Sequence, residues 1–182
     1  LRKLVLTGTY DAFGLLRKSY RNTVEISKFA NDILRHGDFA VYPVEPIIRH
    51  EAAVRVEKQP DATALLEETV HTIRKWQQDG YETIAVICRE EKEAAELAEQ
   101  LKSYMEIVDC NPGTTEFGDG VMVLSVAYTK GLEFDAVLLY DPTQKKYPAD
   151  NGHVKLLYVA ATRALHELVV LYHGNLSRIL TD

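Results

Sequence analysis

The sequence is poor in cysteine, with only Cys88 and Cys110 among 182 residues. They form no Cys-x-x-Cys pair and share no histidine ligand spacing, so buried reduced thiols are favoured over a disulfide or a zinc site. The longest apolar runs are strand-sized and no signal-like segment is seen. These features predict a cytoplasmic protein without a membrane partner and without a structural metal.

Three nucleotide-binding signatures are also missing. The phosphate loop G-x-x-x-x-G-K-[ST] does not occur, and no Asp-Glu pair follows an apolar strand to hold Mg²⁺. No G-x-G-x-x-G follows a predicted strand, so a dinucleotide site has little support. The sequence thus contains no complete ATP site of its own.

Acidic residues outnumber basic ones, giving a net charge of −6. Charge alone therefore argues against nucleic-acid binding, because binders of DNA or RNA usually present a basic face. Two local basic clusters occur nevertheless. Simple exposure to solvent explains the second cluster as well as nucleic-acid binding does. The clusters comprise Arg17, Lys18 and Arg21, and Lys145 and Lys146.

The length and the 46% apolar content suit one globular domain spanning residues 1–182. Helical and strand periods alternate, and the strands are continuously apolar, which predicts an α/β fold with a mainly parallel sheet covered on both faces. Periodicity alone also allows a Rossmann-like or flavodoxin-like domain. The predicted helices are 22–37 (N-cap Asn22 or Thr23), 61–79 (N-cap Asp61), 90–104 and 155–164; the predicted strands are 83–88, 121–124, 136–140 and 168–172, with a loop and a short strand or hairpin in 39–56.

Three segments carry a family resemblance. Residues 16–23 read Leu-Arg-Lys-Ser-Tyr-Arg-Asn-Thr, residues 124–134 read Leu-Ser-Val-Ala-Tyr-Thr-Lys-Gly-Leu-Glu-Phe, and residues 157–164 read Leu-Tyr-Val-Ala-Ala-Thr-Arg-Ala. In this order they resemble the fourth, fifth and sixth motifs of superfamily 1 helicases, the UvrD/Rep-like ATP-dependent DNA translocases. The resemblance implies a second, C-terminal RecA-like lobe. Its ATP and Mg²⁺ would be held mainly by an N-terminal lobe that carries the phosphate loop.

The resemblance also implies roles for individual residues. Arg163 and Arg21 match arginines that reach the γ-phosphate, and a planar, permanently charged guanidinium suits that task. Tyr20 matches an aromatic residue that stacks on adenine. The alternatives are a surface Arg163 paired with Glu167, and a Tyr20–Arg21 pair at the edge of a strand.

The fifth motif supplies the remaining candidates. Glu133 corresponds to a glutamate that hydrogen-bonds the ribose, and Gly131 permits a tight backbone turn. Ser125 and Lys130 are the expected DNA-binding residues, whereas Ala127 stands where the family commonly has histidine. A carboxylate that complements a helix start is the alternative for Glu133.

Fewer than twenty residues join Met105 to Val121. UvrD-like enzymes insert a large subdomain at this point, so the layout resembles the helicase IV and HelD branch, some members of which remodel RNA polymerase. The sequence therefore predicts a lobe of a helicase or translocase that acts on single-stranded DNA. The rival predictions are a lobe of an ATPase whose partner is RNA polymerase, and a stand-alone binding module with a decayed motor fold.

Overall fold

The computed structural model describes residues 22–39, 49–110 and 118–181. Within these residues, five strands and four α-helices largely alternate, with one short 3₁₀ helix between β3 and β4 and another near the end. The elements are α1 (Val24–Leu34), β1 (Arg55–Lys58), α2 (Ala62–Gln78), β2 (Thr83–Cys88), α3 (Glu91–Leu101), β3 (Gly120–Ser125), a 3₁₀ helix (Val126–Thr129), β4 (Phe134–Tyr140), α4 (Asn151–Ala161), β5 (Ala164–Tyr172) and a second 3₁₀ helix (Arg178–Leu180).

The five strands form one parallel sheet in the order β1-β5-β4-β2-β3. This arrangement confirms the predicted α/β fold with a parallel sheet. The chain builds outward from β2 to β3 and then returns to the other side of β2 with β4. Because all strands run the same way, the segments that precede β4 and β5 lie at the same edge of the sheet.

Both faces of the sheet are buried around β2, β3 and β4, which explains why these strands are apolar almost throughout, unlike the edge strand β1. Ile87 and Val137 contribute to one core with α1 and α4, whereas Val86 and Leu138 contribute to the other with α2 and α3. Successive side chains of one strand point to opposite faces. Apolar residues of α1 and α2 supply these cores, with Phe29 and Leu66 only partly buried.

Side-chain caps fix three helix starts. Thr23 accepts a hydrogen bond from the backbone N–H of Ile26, so Thr23, rather than Asn22, is the N-cap of α1. Asp61 caps α2 as predicted. Asp150 caps α4, and this cap places the start of the helix four residues before the predicted one.

The predicted end of α4 was wrong in a way that matters for the site. The helix was expected to run to residue 164, but Thr162 is its C-cap and Ala164 already pairs with Phe134 in the sheet. Strand β5 accordingly starts at 164 rather than 168. Pairing with β4 outweighs the helical propensity of the alanines here. Arg163 therefore lies in the turn between helix and strand.

Two further expectations are settled by the structure. The short strand β1 begins at Arg55, near the end of the segment where a strand or hairpin was expected, and pairs with β5. Both cysteines are free thiols; Cys88 is buried at the end of β2, while Cys110 is only partly buried. Within the described ranges, no helix is both long and apolar enough to cross a membrane.

Candidate functional site

The predicted site residues divide between the two ends of the sheet. Ser125 ends β3 at the carboxyl edge, and the 3₁₀ helix and a turn then lead back to the amino end of β4. Glu133 directly precedes β4, and Arg163 directly precedes β5. Since β4 and β5 are paired neighbours, the structure brings the strand starts that follow Glu133 and Arg163 together.

Arg163 is one of the largest fully buried side chains, with 2% of its surface exposed. Its Nη1 donates to the backbone carbonyl of Leu132 at 3.2 Å, while Nε has no hydrogen-bond partner. Burial lowers the pKa of the guanidinium, and the charges of Glu133 and Tyr158 oppose that shift. The alternative of a surface Arg163 paired with Glu167 is wrong, because Arg163 is buried and Glu167 accepts a hydrogen bond from Trp76 Nε1.

A buried guanidinium with an unpartnered N–H is costly for a lobe on its own. Such a group can bind an anion strongly, because its planar donors match two oxygens of a phosphate or carboxylate. The carbonyl of Arg163 also accepts a hydrogen bond from Phe134 N at 2.9 Å. The arginine backbone is therefore held against the start of β4.

The turn before β4 depends on Gly131. Its φ is +79°, a conformation that side-chain-bearing residues rarely adopt, and an added Cβ would meet no atom within 4 Å. The backbone conformation, and not crowding, is thus the reason for glycine. Lys130 and Gly131 are exposed, and Glu133 is half-buried. Because Glu133 precedes a strand, the alternative of a carboxylate at a helix start is wrong.

Ser125 was expected to contact DNA, but its side chain is not at the surface. It is 2% exposed and its hydroxyl has no hydrogen-bond partner. The exposed residues of this segment are instead Ala127, Tyr128 and Lys130. A hydrogen bond to Glu91 raises the pKa of the Tyr128 hydroxyl. Sequence reasoning missed Tyr128, although its position inside the fifth motif was a usable signal.

The structure describes only the last two residues of the segment 16–23, which resembles the fourth helicase motif. Tyr20 and Arg21 lie outside the described residues, as do Arg17 and Lys18 of the first basic cluster. The next residue, Asn22, is 4% exposed, and its Nδ2 donates to the backbone carbonyls of Thr162 and Ala164. These carbonyls flank Arg163, so Asn22 ties the fourth motif to the sixth. No sequence signal beyond its position in the motif indicated this contact.

One lysine of the second basic cluster, Lys146, is neutralised at the carboxyl edge of the sheet. Lys146 pairs with Asp141 at 2.9 Å and also with Glu93. Although burial lowers the pKa of Lys146, its hydrogen bonds to these two carboxylates raise the pKa overall. Lys146 is therefore part of an ion network and offers no free charge to a nucleic acid.

The chemistry of the Arg163 and Glu133 side chains suits a nucleotide. Arg163 can donate hydrogen bonds to phosphate oxygens, and Glu133 can accept one from a sugar hydroxyl. Across residues 22–39, 49–110 and 118–181, no group of three or more His, Cys, Asp or Glu side chains is arranged to hold a metal ion. The described residues thus offer anion-binding chemistry at the amino edge of the sheet.

Comparison with known proteins points to the same region. The family model of the UvrD-like helicase C-terminal domain matches residues 120–171, from β3 into β5. The structure resembles the crystal structure of the C-terminal domain of a possible DNA helicase from Lactobacillus plantarum WCFS1. The TM-score is 0.73 at 27% sequence identity, covering 90% of this chain and 92% of that chain. No match was found among curated proteins. The fold is therefore α/β and similar to a helicase C-terminal RecA-like domain.

Proposed function

We propose that this chain is the second RecA-like lobe of an ATP-dependent DNA helicase or translocase, and that Arg163 contacts the phosphates of ATP held by another lobe. One observation carries the proposal: Arg163 is buried beside Glu133 at the start of β4, with Nε unpartnered. The match of the UvrD-like C-terminal domain model to residues 120–171 supports it.

In this proposal, the amino edge of the sheet faces the nucleotide. Arg163 stabilises the charge that accumulates on the transferred phosphoryl group. Glu133 accepts a hydrogen bond from the ribose, and Gly131 provides the turn that presents it. Arg21 serves as a second phosphate contact and Tyr20 stacks on adenine. Mg²⁺ and the phosphate loop belong to the other lobe.

Closure of the cleft between the lobes would couple hydrolysis to movement along single-stranded DNA. Because Arg163 is 2% exposed, we infer that closure also turns its guanidinium toward the phosphate. The segment around Ser125 and Lys130 would contact the single-stranded DNA. The hydroxyl of Ser125 is buried, so a phosphate contact from it needs a shift of the 3₁₀ helix that follows.

The test uses the intact protein in a steady-state ATPase assay with saturating single-stranded DNA. Arg163→Ala should lower kcat roughly a thousandfold or more with a much smaller change in ATP affinity, on the scale known for arginine fingers. Arg163→Lys should rescue poorly, since an ammonium lacks the planar fork. The 182-residue chain alone should have no ATPase activity.

Arg49→Ala is the matched control, because Arg49 also donates to a backbone carbonyl at the start of β5, that of Leu165. It should leave kcat near the wild-type value. Near-wild-type kcat in a folded Arg163→Ala protein would remove the central catalytic claim. Melting temperatures measured in parallel show whether each variant is folded.

A second candidate is an ATPase lobe that acts on RNA polymerase, as in the HelD branch. One observation favours it: only residues 102–119 connect α3 to β3, where UvrD-like enzymes insert a subdomain. Binding of single-stranded DNA that weakens steeply with salt would support the translocase. Co-purification of the intact protein with polymerase, together with weak strand binding, would support the second candidate.

A further inference from the structure

The side chain of Asn22 makes an unusual pair of contacts for a residue at a helix start. Its Nδ2 donates to Thr162 O at 3.1 Å and to Ala164 O at 2.5 Å, across some 140 positions of sequence. The residue is almost fully buried. The amide group therefore links the beginning of α1 to the turn between α4 and β5.

These contacts surround Arg163. The two carbonyls that Asn22 holds belong to the residues before and after it, and the carbonyl of Arg163 itself is bound by Phe134 N. Three consecutive carbonyls of the turn are thus fixed. The last carbonyls of an α-helix lack intrahelical partners, so an external donor at Thr162 also completes the end of α4.

The chemistry of the contact is specific to an amide. An Asn NH₂ group has two hydrogens and can serve two acceptors at once, whereas a serine hydroxyl has one and a carboxylate has none. Asn22 is not needed for capping α1, because Thr23 performs that role. Its buried amide group is therefore available for the turn that carries Arg163.

We propose that Asn22 is a positioning residue for Arg163, holding the turn so that the guanidinium keeps one orientation relative to the start of β4. In the sequence, Asn22 directly follows Arg21, the second residue proposed to contact phosphate. The inference rests on the proposed function and adds to it a residue that touches neither nucleotide nor DNA.

The test is a double-mutant cycle in the intact protein, with steady-state ATPase as the readout. Asn22→Ala should lower kcat by about ten- to a hundredfold at nearly constant KM for ATP, because displacements of about 1 Å can cost this much. Asn22→Asp, which places a carboxylate oxygen against two carbonyls, should lower kcat at least as much. Asn22→Ser keeps one donor and should fall between Asn22→Ala and the wild type.

In an Arg163→Ala background, Asn22→Ala should cause almost no further loss of kcat, because it acts through the missing guanidinium. The matched control is Asn151→Ala: Asn151 bonds to Asp38 and joins the far ends of the same two helices, α1 and α4. It should alter melting temperature slightly and leave kcat unchanged.

The outcomes separate the two claims. If Arg163→Ala retains kcat, the proposed function fails whatever Asn22 does. If Arg163→Ala loses kcat but folded Asn22→Ala and Asn22→Ser proteins retain it, the positioning role is refuted. Losses that multiply in the double variant also refute it, since Asn22 would then act independently of Arg163. Should Asn22→Ala fail to fold, Asn22→Ser in the same cycle decides.

Discussion

Replacement of Arg163 by methionine tests whether the buried guanidinium is kept for function or for stability. Methionine is also unbranched and flexible, so it fills much of the same space without a charge. If Arg163 binds a phosphate held by another lobe, the isolated 182-residue chain lacks that contact. Burial of the guanidinium then destabilises the isolated chain. We therefore expect Arg163→Met to stabilise the isolated chain and to abolish ATP turnover in the intact protein.

The expected magnitude follows from the contacts of the side chain. Removing the unpartnered Nε relieves about 1–3 kcal/mol, and loss of the Leu132 hydrogen bond, whose donor is charged, costs about 1.5–3 kcal/mol. Loss of the electrostatic attraction between Arg163 and half-buried Glu133 also lowers the stability of the variant. Relief of the buried charge offsets these losses, because replacing buried ionic groups by apolar residues is neutral or stabilising by about 1–4 kcal/mol. We therefore expect a net gain of about 1 kcal/mol, or roughly 2–4 °C in melting temperature for a chain of this size.

Urea unfolding of the 182-residue chain, followed by circular dichroism, measures this difference directly. Arg49→Met is the control for loss of an arginine near the same strand; its side chain is 44% exposed and pairs with Glu51, so a small loss of stability is expected. If Arg163→Met lowers the unfolding free energy by more than about 2 kcal/mol with an unchanged m-value, the guanidinium is a structural element and the reasoning fails.

Two further outcomes can be checked on the same material. The hydrogen bond from His50 is the main reason that the pKa of Glu25 falls from 4.5 to about 2, so its stabilising effect is present above pH 4.5 and is lost as the pH falls toward 2. The difference in melting temperature between the wild type and Glu25→Gln should shrink across that range, and a constant difference would contradict the assignment. Ala127 is exposed where the helicases that this motif resembles commonly have histidine, so Ala127→His in the intact protein should tighten binding of single-stranded DNA. The control is Ala62→His, at an exposed position of α2. Equal affinities for the two variants throughout a salt titration would show that position 127 does not face DNA.

The fold class was predictable because buried strands and helix faces produce apolar patterns that extend over many residues, whereas the strand order was not predicted. Both buried strands β2 and β4 are continuous apolar runs, and the parallel sheet follows from burial of both their faces. Element ends were less predictable. The start of β5 at Ala164 depends on pairing with Phe134, a contact 30 residues away that no local propensity encodes.

The candidate site was predictable only through motif resemblance, and only as a set of residue types. The motif indicated Arg163 and Glu133, and the structure places them at the starts of neighbouring strands. The motif resemblance did not indicate that Arg163 is buried or that Ser125 has a buried hydroxyl. Burial depends on how α4 and the 3₁₀ helix pack against the sheet. Tertiary packing of this kind leaves no local sequence signal.

The unsatisfied polar atoms in the motif segments support the proposal that this chain holds part of a shared site. Native proteins pair nearly all buried polar groups, so each exception needs a cause. Six buried side-chain atoms of the described residues have no hydrogen-bond partner; Asn22 Oδ1, Ser125 Oγ and Arg163 Nε lie in segments that resemble helicase motifs, whereas the atoms of Thr72, Arg89 and His173 do not. A lobe selected for its own stability would replace such groups with apolar ones, whereas a lobe that meets a nucleotide and a second lobe must keep them. The direction of the Arg163→Met stability change, measured together with loss of turnover, therefore distinguishes these two cases.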